Sequence, residues 1–136
     1  MRILLLASLV AASQVTLSVQ RLPTGDALDV RVANAGPGPV SVPACETLQV
    51  ERFDPGSERW NPIPTNACRR TEPAMSLLPG EHAFHVPIVV QASALVRVVL
   101  VYGLGCRDGL SLEEAGCAVY QTTLSGNLTV VPPEDR

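Results

Sequence analysis

The chain of 136 residues has no lysine; all ten of its basic residues are arginine. That excludes Schiff-base chemistry and a lysine nucleophile, and the bias itself is what a GC-rich genome tends to produce. No basic tract or stripe occurs and the formal charge is −3, so a nucleic-acid surface is excluded as well. Motifs of catalysis are missing: there is no G-x-S-x-G elbow, no H-E-x-x-H and no phosphate loop. "GLGC" at 103–106 holds only a two-glycine fragment of a dinucleotide fingerprint and leads into a cysteine loop rather than a helix. The cysteines lack the C-x-x-C spacing of a zinc site. Asp26, Asp29, Asp54 and Asp108 are scattered without the dense oxygen spacing of a calcium loop. No enzyme, cofactor or metal is therefore expected.

What is present begins with "MRILLLASLVAASQ". One positive charge, an apolar run from Ile3 to Val10 and the small residues Ala11, Ala12 and Ser13 form the three-part pattern of a signal peptide, too short to span a bilayer comfortably. Residues 1–13 are expected to be removed, by cleavage after Ser13 or after Ala12, leaving one domain over 14–131 and a frayed end over 132–136. A buried first strand is the rival reading, but "ILLLASLV" shows none of the alternation an edge strand needs. Cys45, Cys68, Cys106 and Cys117 follow this export signal, and an even count in an exported chain reads as two disulfides. Three pairings are open. Cys45 with Cys68 and Cys106 with Cys117 is favoured, because each pair brackets a turn-rich segment.

Along the rest of the chain apolar residues recur at every second position. "VTLSVQ" and "ALDVRVAN" read as neighbouring antiparallel strands, with "VSV", "TLQVERF" and "WNPI" continuing the pattern. "DPGSER" is a reverse turn in which Pro55 presets φ and Gly56 tolerates a positive φ. "ALVRVVLVYG" (94–103) is apolar on both faces and is expected to lie centrally in a sheet. "AVYQTTL" and "NLTVV" alternate again, broken at Ser125 and Gly126 by either a bulge or a hairpin. "NLT" (127–129) fits a glycosylation sequon, relevant only in a eukaryotic secretory pathway. The sum is an all-β chain, an antiparallel, disulfide-braced β-sandwich of about seven to nine short strands, the fold class to which the immunoglobulin-like resemblance given below belongs.

Two stretches invite a functional reading. "PGEHAFHVP" holds both histidines, His82 and His85, near Glu81. Pro79 and Gly80 make a turn and a strand follows; residues three apart on a strand point to opposite faces, so the histidines cannot converge on one metal. The second stretch is the long connection 103–117. Connections of such length are usually functional or disordered, and a bridge across its base argues against disorder. Ser111 and Glu114 have capping-box spacing for one helical turn. Arg107 and Asp108 would supply a polar rim and Leu110 and Leu112 an apolar centre for a partner; alternatively the two leucines cap the sandwich core as a lid.

The order "VRVANAGPGPVSV", "LQVERFDPGSERW", "LLPGEHAFHVPI", "ALVRVVLVYG" resembles small bacterial immunoglobulin-like domains and is similar to the BsuPI proteinase-inhibitor family, over residues 28–102. The resemblance implies the sandwich fold rather than a site. The expected function is that of a secreted or periplasmic, noncatalytic immunoglobulin-like module binding a protein or cell-envelope partner. The alternative implied by the resemblance is an inhibitor of an exported protease, presenting the Cys106–Cys117 loop.

Overall fold

The computed structural model describes residues 14–21, 27–64, 68 and 71–132. The expected signal peptide (1–13), residues 22–26 and the end 133–136 lie outside them. Ten strands occur among the described residues: β1 (Val15–Arg21), β2 (Ala27–Asn34), β3 (Val40–Val42), β4 (Gln49–Asp54), β5 (Arg59–Ile63), β6 (Met75–Leu77), β7 (Gly80–Pro87), β8 (Ala94–Leu104), β9 (Val119–Leu124) and β10 (Leu128–Val130). All pairings are antiparallel. β1, β2 and β7 form a three-stranded sheet, and the other seven strands form the second sheet around β8. Pairing the first strand with the second and the second with the seventh, opposite a sheet built on the long eighth strand, is the partition of an immunoglobulin-like sandwich.

Alternation decides which side chains meet between the sheets. Val15, Leu28, Val30, Val32 and Val86 from the smaller sheet face Val42, Val50, Val96, Val98, Leu100 and Tyr102 from the larger, and all are buried. The core is made mostly of valine, which suits a pleated surface but has little reach. Tyr102, the largest fully buried side chain, fills the remaining depth and donates its hydroxyl to Gln121 Oε1 at 2.5 Å. Pro132 is also buried.

β8 is central, as its two apolar faces imply: β3 and β4 share one of its sides, β9 and β10 the other. The break at Ser125 and Gly126 is a bulge. Leu124 lies opposite Val99 and Leu128 opposite Val96, so three residues of the edge strand face two of β8. Ser125, buried, repairs the ladder there: its amide donates to Val98 O (2.9 Å) and its hydroxyl accepts from Val98 N (2.8 Å).

Of the ten strands, β6 is the one that is too short to give a readable alternation in the sequence. A second difference lies in the β4–β5 hairpin. Asp54 holds the turn, accepting from Gly56 N (3.0 Å) and Ser57 Oγ (3.0 Å). The positive φ (58°) falls on Glu58 rather than on Gly56, because a Glu58 N to Asp54 O bond (2.7 Å) closes the turn one residue later.

Candidate functional site

The outer faces of the two sheets differ. On the smaller sheet, β1 presents Thr16, Ser18 and Gln20, while Arg31 of β2 lies 3.4 Å from Asp29 and 3.5 Å from Glu81. That is an ordinary solvated face. On the larger sheet the outward positions of β4, β5, β8 and β9 carry Phe53, Trp60, Val99, Val101, Tyr120 and Leu124. Val101, Tyr120 and Leu124 are about 40% exposed or more. At one end of this face Phe53 and Trp60 rings pack at 5.3 Å, and the Arg97 guanidinium stacks 4.2 Å over Trp60 while donating to Glu51 at 2.8 Å. Arg97 and Glu51 are each largely covered, so this ion pair is more firmly held than an exposed one.

Both disulfides stand on that same face. Cys45 bonds Cys68 and Cys106 bonds Cys117, the pairing favoured from the turn-rich segments. The second bridge rests on the backbone of Gly103, an outward position of β8 where a Cβ would collide with both sulfurs. Only glycine admits so close an approach. In the chain-entropy account each closed loop contributes about 3 kcal/mol through the unfolded state.

The connection 103–117 folds back onto the sheet. Leu112, Ser111 and Ala115 are buried and Leu110 is half-buried, with Leu112 beside the outward Val99 and Val101 rather than in the core between the sheets. Arg107 is exposed and lies along the loop: its backbone amide donates to Ala115 O (3.0 Å) and its guanidinium to Glu114 O (3.0 Å) and Ala115 O (3.3 Å). These bonds brace the loop. Asp108 is exposed at the tip, next to Gly109 with its φ of 79°. Ser111 and Glu114 do meet, side chain to side chain at 3.1 Å, but they close a turn rather than cap a helix. Two anchors were not foreseen from the sequence. Tyr120 donates its hydroxyl to Leu112 O (2.9 Å) and accepts from Cys117 N (3.1 Å), and Ala74 N bonds Leu110 O at 2.9 Å.

Between the loops lies a cleft of about 190 Å3, with Pro43–Thr47 along one side and Leu112–Glu113 along the other. Val99 and Val101 line its base with Leu112, and the carboxylates of Glu46, Glu72 and Glu113 stand around it. None of the three glutamates was singled out in the sequence, for each lies in a different connection and nothing in local spacing unites them. Val99 and Val101 were legible only as a second apolar face of β8.

The histidines do not converge. His82 lies opposite Val32 on the inner side, its Nε2 2.7 Å from Leu78 O, and His85 lies opposite Asp29 on the outer side, exposed. Cys45, Glu46 and Cys68 bring potential ligand atoms within 4.8 Å of one another, but both sulfurs are consumed in a disulfide and offer no thiolate. Asn127 of the sequon is exposed in the bulge, ahead of β10 rather than within a strand.

Two disulfides suggest an oxidising, extracytoplasmic environment. Among the described residues no helix is long and apolar enough to cross a membrane. No protein-family model, curated protein or solved structure matches the chain.

Proposed function

We propose that the chain is an exported, noncatalytic immunoglobulin-like module that binds a protein or cell-envelope partner through the outer face of its seven-stranded sheet. The observation that carries this reading is the contrast between the two outer faces: one is solvated by paired charges, the other exposes Val101, Tyr120 and Leu124 beside a half-buried aromatic pair. Exposed apolar side chains with polar groups around them are how interaction surfaces present themselves. The signal-like N-terminus, the two bridges and the resemblance to small bacterial immunoglobulin-like domains support export. Under this reading the loop residues Arg107, Leu110 and Leu112 shape the face, and Asp108 is the one of the four left at its edge.

The test is a photo-crosslinking amino acid placed at Val101 and, separately, at Arg31 on the opposite face, in cells that export the protein. A discrete crosslinked species from position 101 and none from position 31 is expected. Equal labelling from both faces, or none from either, refutes the assignment. In the same cells, an intact mass corresponding to a start at Ser13 or Gln14 checks export, and recovery of full-length chain from the cytosol counts against it. The inhibitor reading is checked by titration against serine, cysteine and metalloproteases, where stoichiometric inhibition would replace the module reading.

A further inference from the structure

We infer that the cleft between the two disulfide loops is a pocket for one basic side chain, arginine or lysine, of a protein partner. The inference rests on the proposed binding face and names what that face recognises. Size is the first argument. Small-molecule and cofactor sites usually enclose about 300–1,000 Å3, whereas this cleft has about 190 Å3, room for a single long side chain. Chemistry is the second. Its base is apolar, from Val99, Val101 and Leu112, and its surround carries Glu46, Glu72 and Glu113. Arginine and lysine have that same division, an aliphatic stem ending in a cation. A neutral apolar side chain would leave the carboxylates without use, and an acidic one would be repelled. Among the described residues none of the three glutamates is in an ion pair, while the chain's other described pairs, Arg31 with Asp29 and Glu81 and Arg97 with Glu51, lie elsewhere.

The third argument is preorganisation. One wall is the Cys45 connection, tied to Cys68; the other is the Cys106–Cys117 loop, pinned by Arg107 and Tyr120 to its own backbone. Walls fixed before binding lose little conformational freedom when the guest arrives. A rival guest from within the chain is Arg69 or Arg70, which follow Cys68 in sequence and lie outside the described residues.

The experiment titrates the isotopically labelled, disulfide-intact protein by NMR with N-acetyl-arginine methylamide, its lysine counterpart and the neutral citrulline counterpart. Saturable shifts at the amides of Glu46, Thr47, Val101 and Glu113 are expected with the two cations, at millimolar affinity, and none with citrulline. The combined variant E46Q/E72Q/E113Q, checked for an unchanged melting temperature, should bind about tenfold more weakly, and added salt should act in the same direction. Equal binding of citrulline, shifts confined to other surfaces, or full binding by the glutamine variant would overturn the inference. So would binding seen only in R69Q/R70Q, which would assign the pocket to the chain's own arginines. Crosslinking from Val101 without cation binding would retire this inference and leave the module reading intact; cation binding without a crosslink would do the reverse.

Discussion

Asn34 offers the sharpest check on how the two sheets are joined. It ends β2, is 2% exposed, and uses its whole amide. Its Nδ2 donates to Leu77 O of β6 at 3.0 Å and to Gly38 O at 3.1 Å, and its Oδ1 accepts from Gly36 N at 3.1 Å and from Gln14 Nε2 at 3.0 Å. One side chain therefore links the smaller sheet to the larger and holds the turn between β2 and β3. In Asn34→Ala the Leu77 carbonyl, whose bond is buried, loses its donor, costing about 1–3 kcal/mol, and the part-buried groups recover water at a smaller loss each. The total should be about 3 kcal/mol, a large share of the roughly 5–15 kcal/mol a domain possesses. For a domain of this size that corresponds to a fall in melting temperature of about 10 °C. Urea unfolding of the oxidised protein is the assay, with an unchanged slope showing that the same surface is exposed. Asn34→Asp separates donor from acceptor roles: it keeps both accepted bonds but turns a carboxylate toward two carbonyls. It should be at least as damaging as alanine at neutral pH. A loss below about 1 kcal/mol for alanine, or a milder effect for Asp, would refute the account.

Gly103→Ala should keep the second bridge from seating, because the new Cβ meets the sulfurs of Cys106 and Cys117; free-thiol titration after oxidative refolding should find two thiols where the parent has none. Ser125→Ala strips the buried Val98 amide of its partner in the bulge, at about 1–3 kcal/mol, and amide exchange at Val98 should accelerate beyond the global change in stability. Asp54 titrates below its ordinary 3.8 because Gly56 N and then Ser57 Oγ stabilise the carboxylate, with Arg52 adding a little. A depressed folded value means that its contribution to the hairpin is full above the unfolded value and lost as pH falls through the folded one. The Gly56 amide shift should report that lower midpoint, and a midpoint at or above the ordinary value would contradict the turn geometry.

The fold was legible because alternation is written in single strands. Val15, Leu17 and Val19, or Leu28, Val30 and Val32, declare an inward face with no knowledge of what they meet, and β1 and β2 run as that pattern implies. The turn chemistry of Pro79 and Gly80 was equally local: Gly80 opens β7 with a φ of 117°. The disulfide pairing could be inferred because both bridges close short stretches of chain. What escaped were features made by several segments together. Glu46, Glu72 and Glu113 share a cleft only because β3 and β4 occupy one side of β8 while the 106–117 loop folds over the outer face. The hydrogen bonds of Arg107 were not legible because its two carbonyl partners, Glu114 and Ala115, are brought to it by the loop's return path. Tyr120 read simply as a strand residue, since nothing near it in sequence announces a hydroxyl clamp on Leu112 and Cys117.

The outer valines of β8 show why a doubly apolar strand is ambiguous in function. Val96 and Val98 at inner positions and Leu95 and Val101 at outer ones satisfy the same pattern, yet only the inner set is enclosed between sheets. On the outer side β8 receives a partial cover: the Cys106–Cys117 bridge above Gly103 and Leu112 beside Val99 and Val101, of which Val101 remains 39% exposed. A cover that stops short leaves apolar surface with fixed walls, and fixed walls require something stiffer than a free loop. Here the stiffness comes from the second disulfide and from Tyr120, a residue of β9 that grips the loop from the same face. The second disulfide and Tyr120, which hold the loop on the outer face, are thus also the elements that shape the cleft. Loosening the loop, by reduction of its bridge or by Tyr120→Phe, should therefore weaken the face and the fold together, whereas the carboxylates of Glu72 and Glu113, exposed at the rim, alter the face alone.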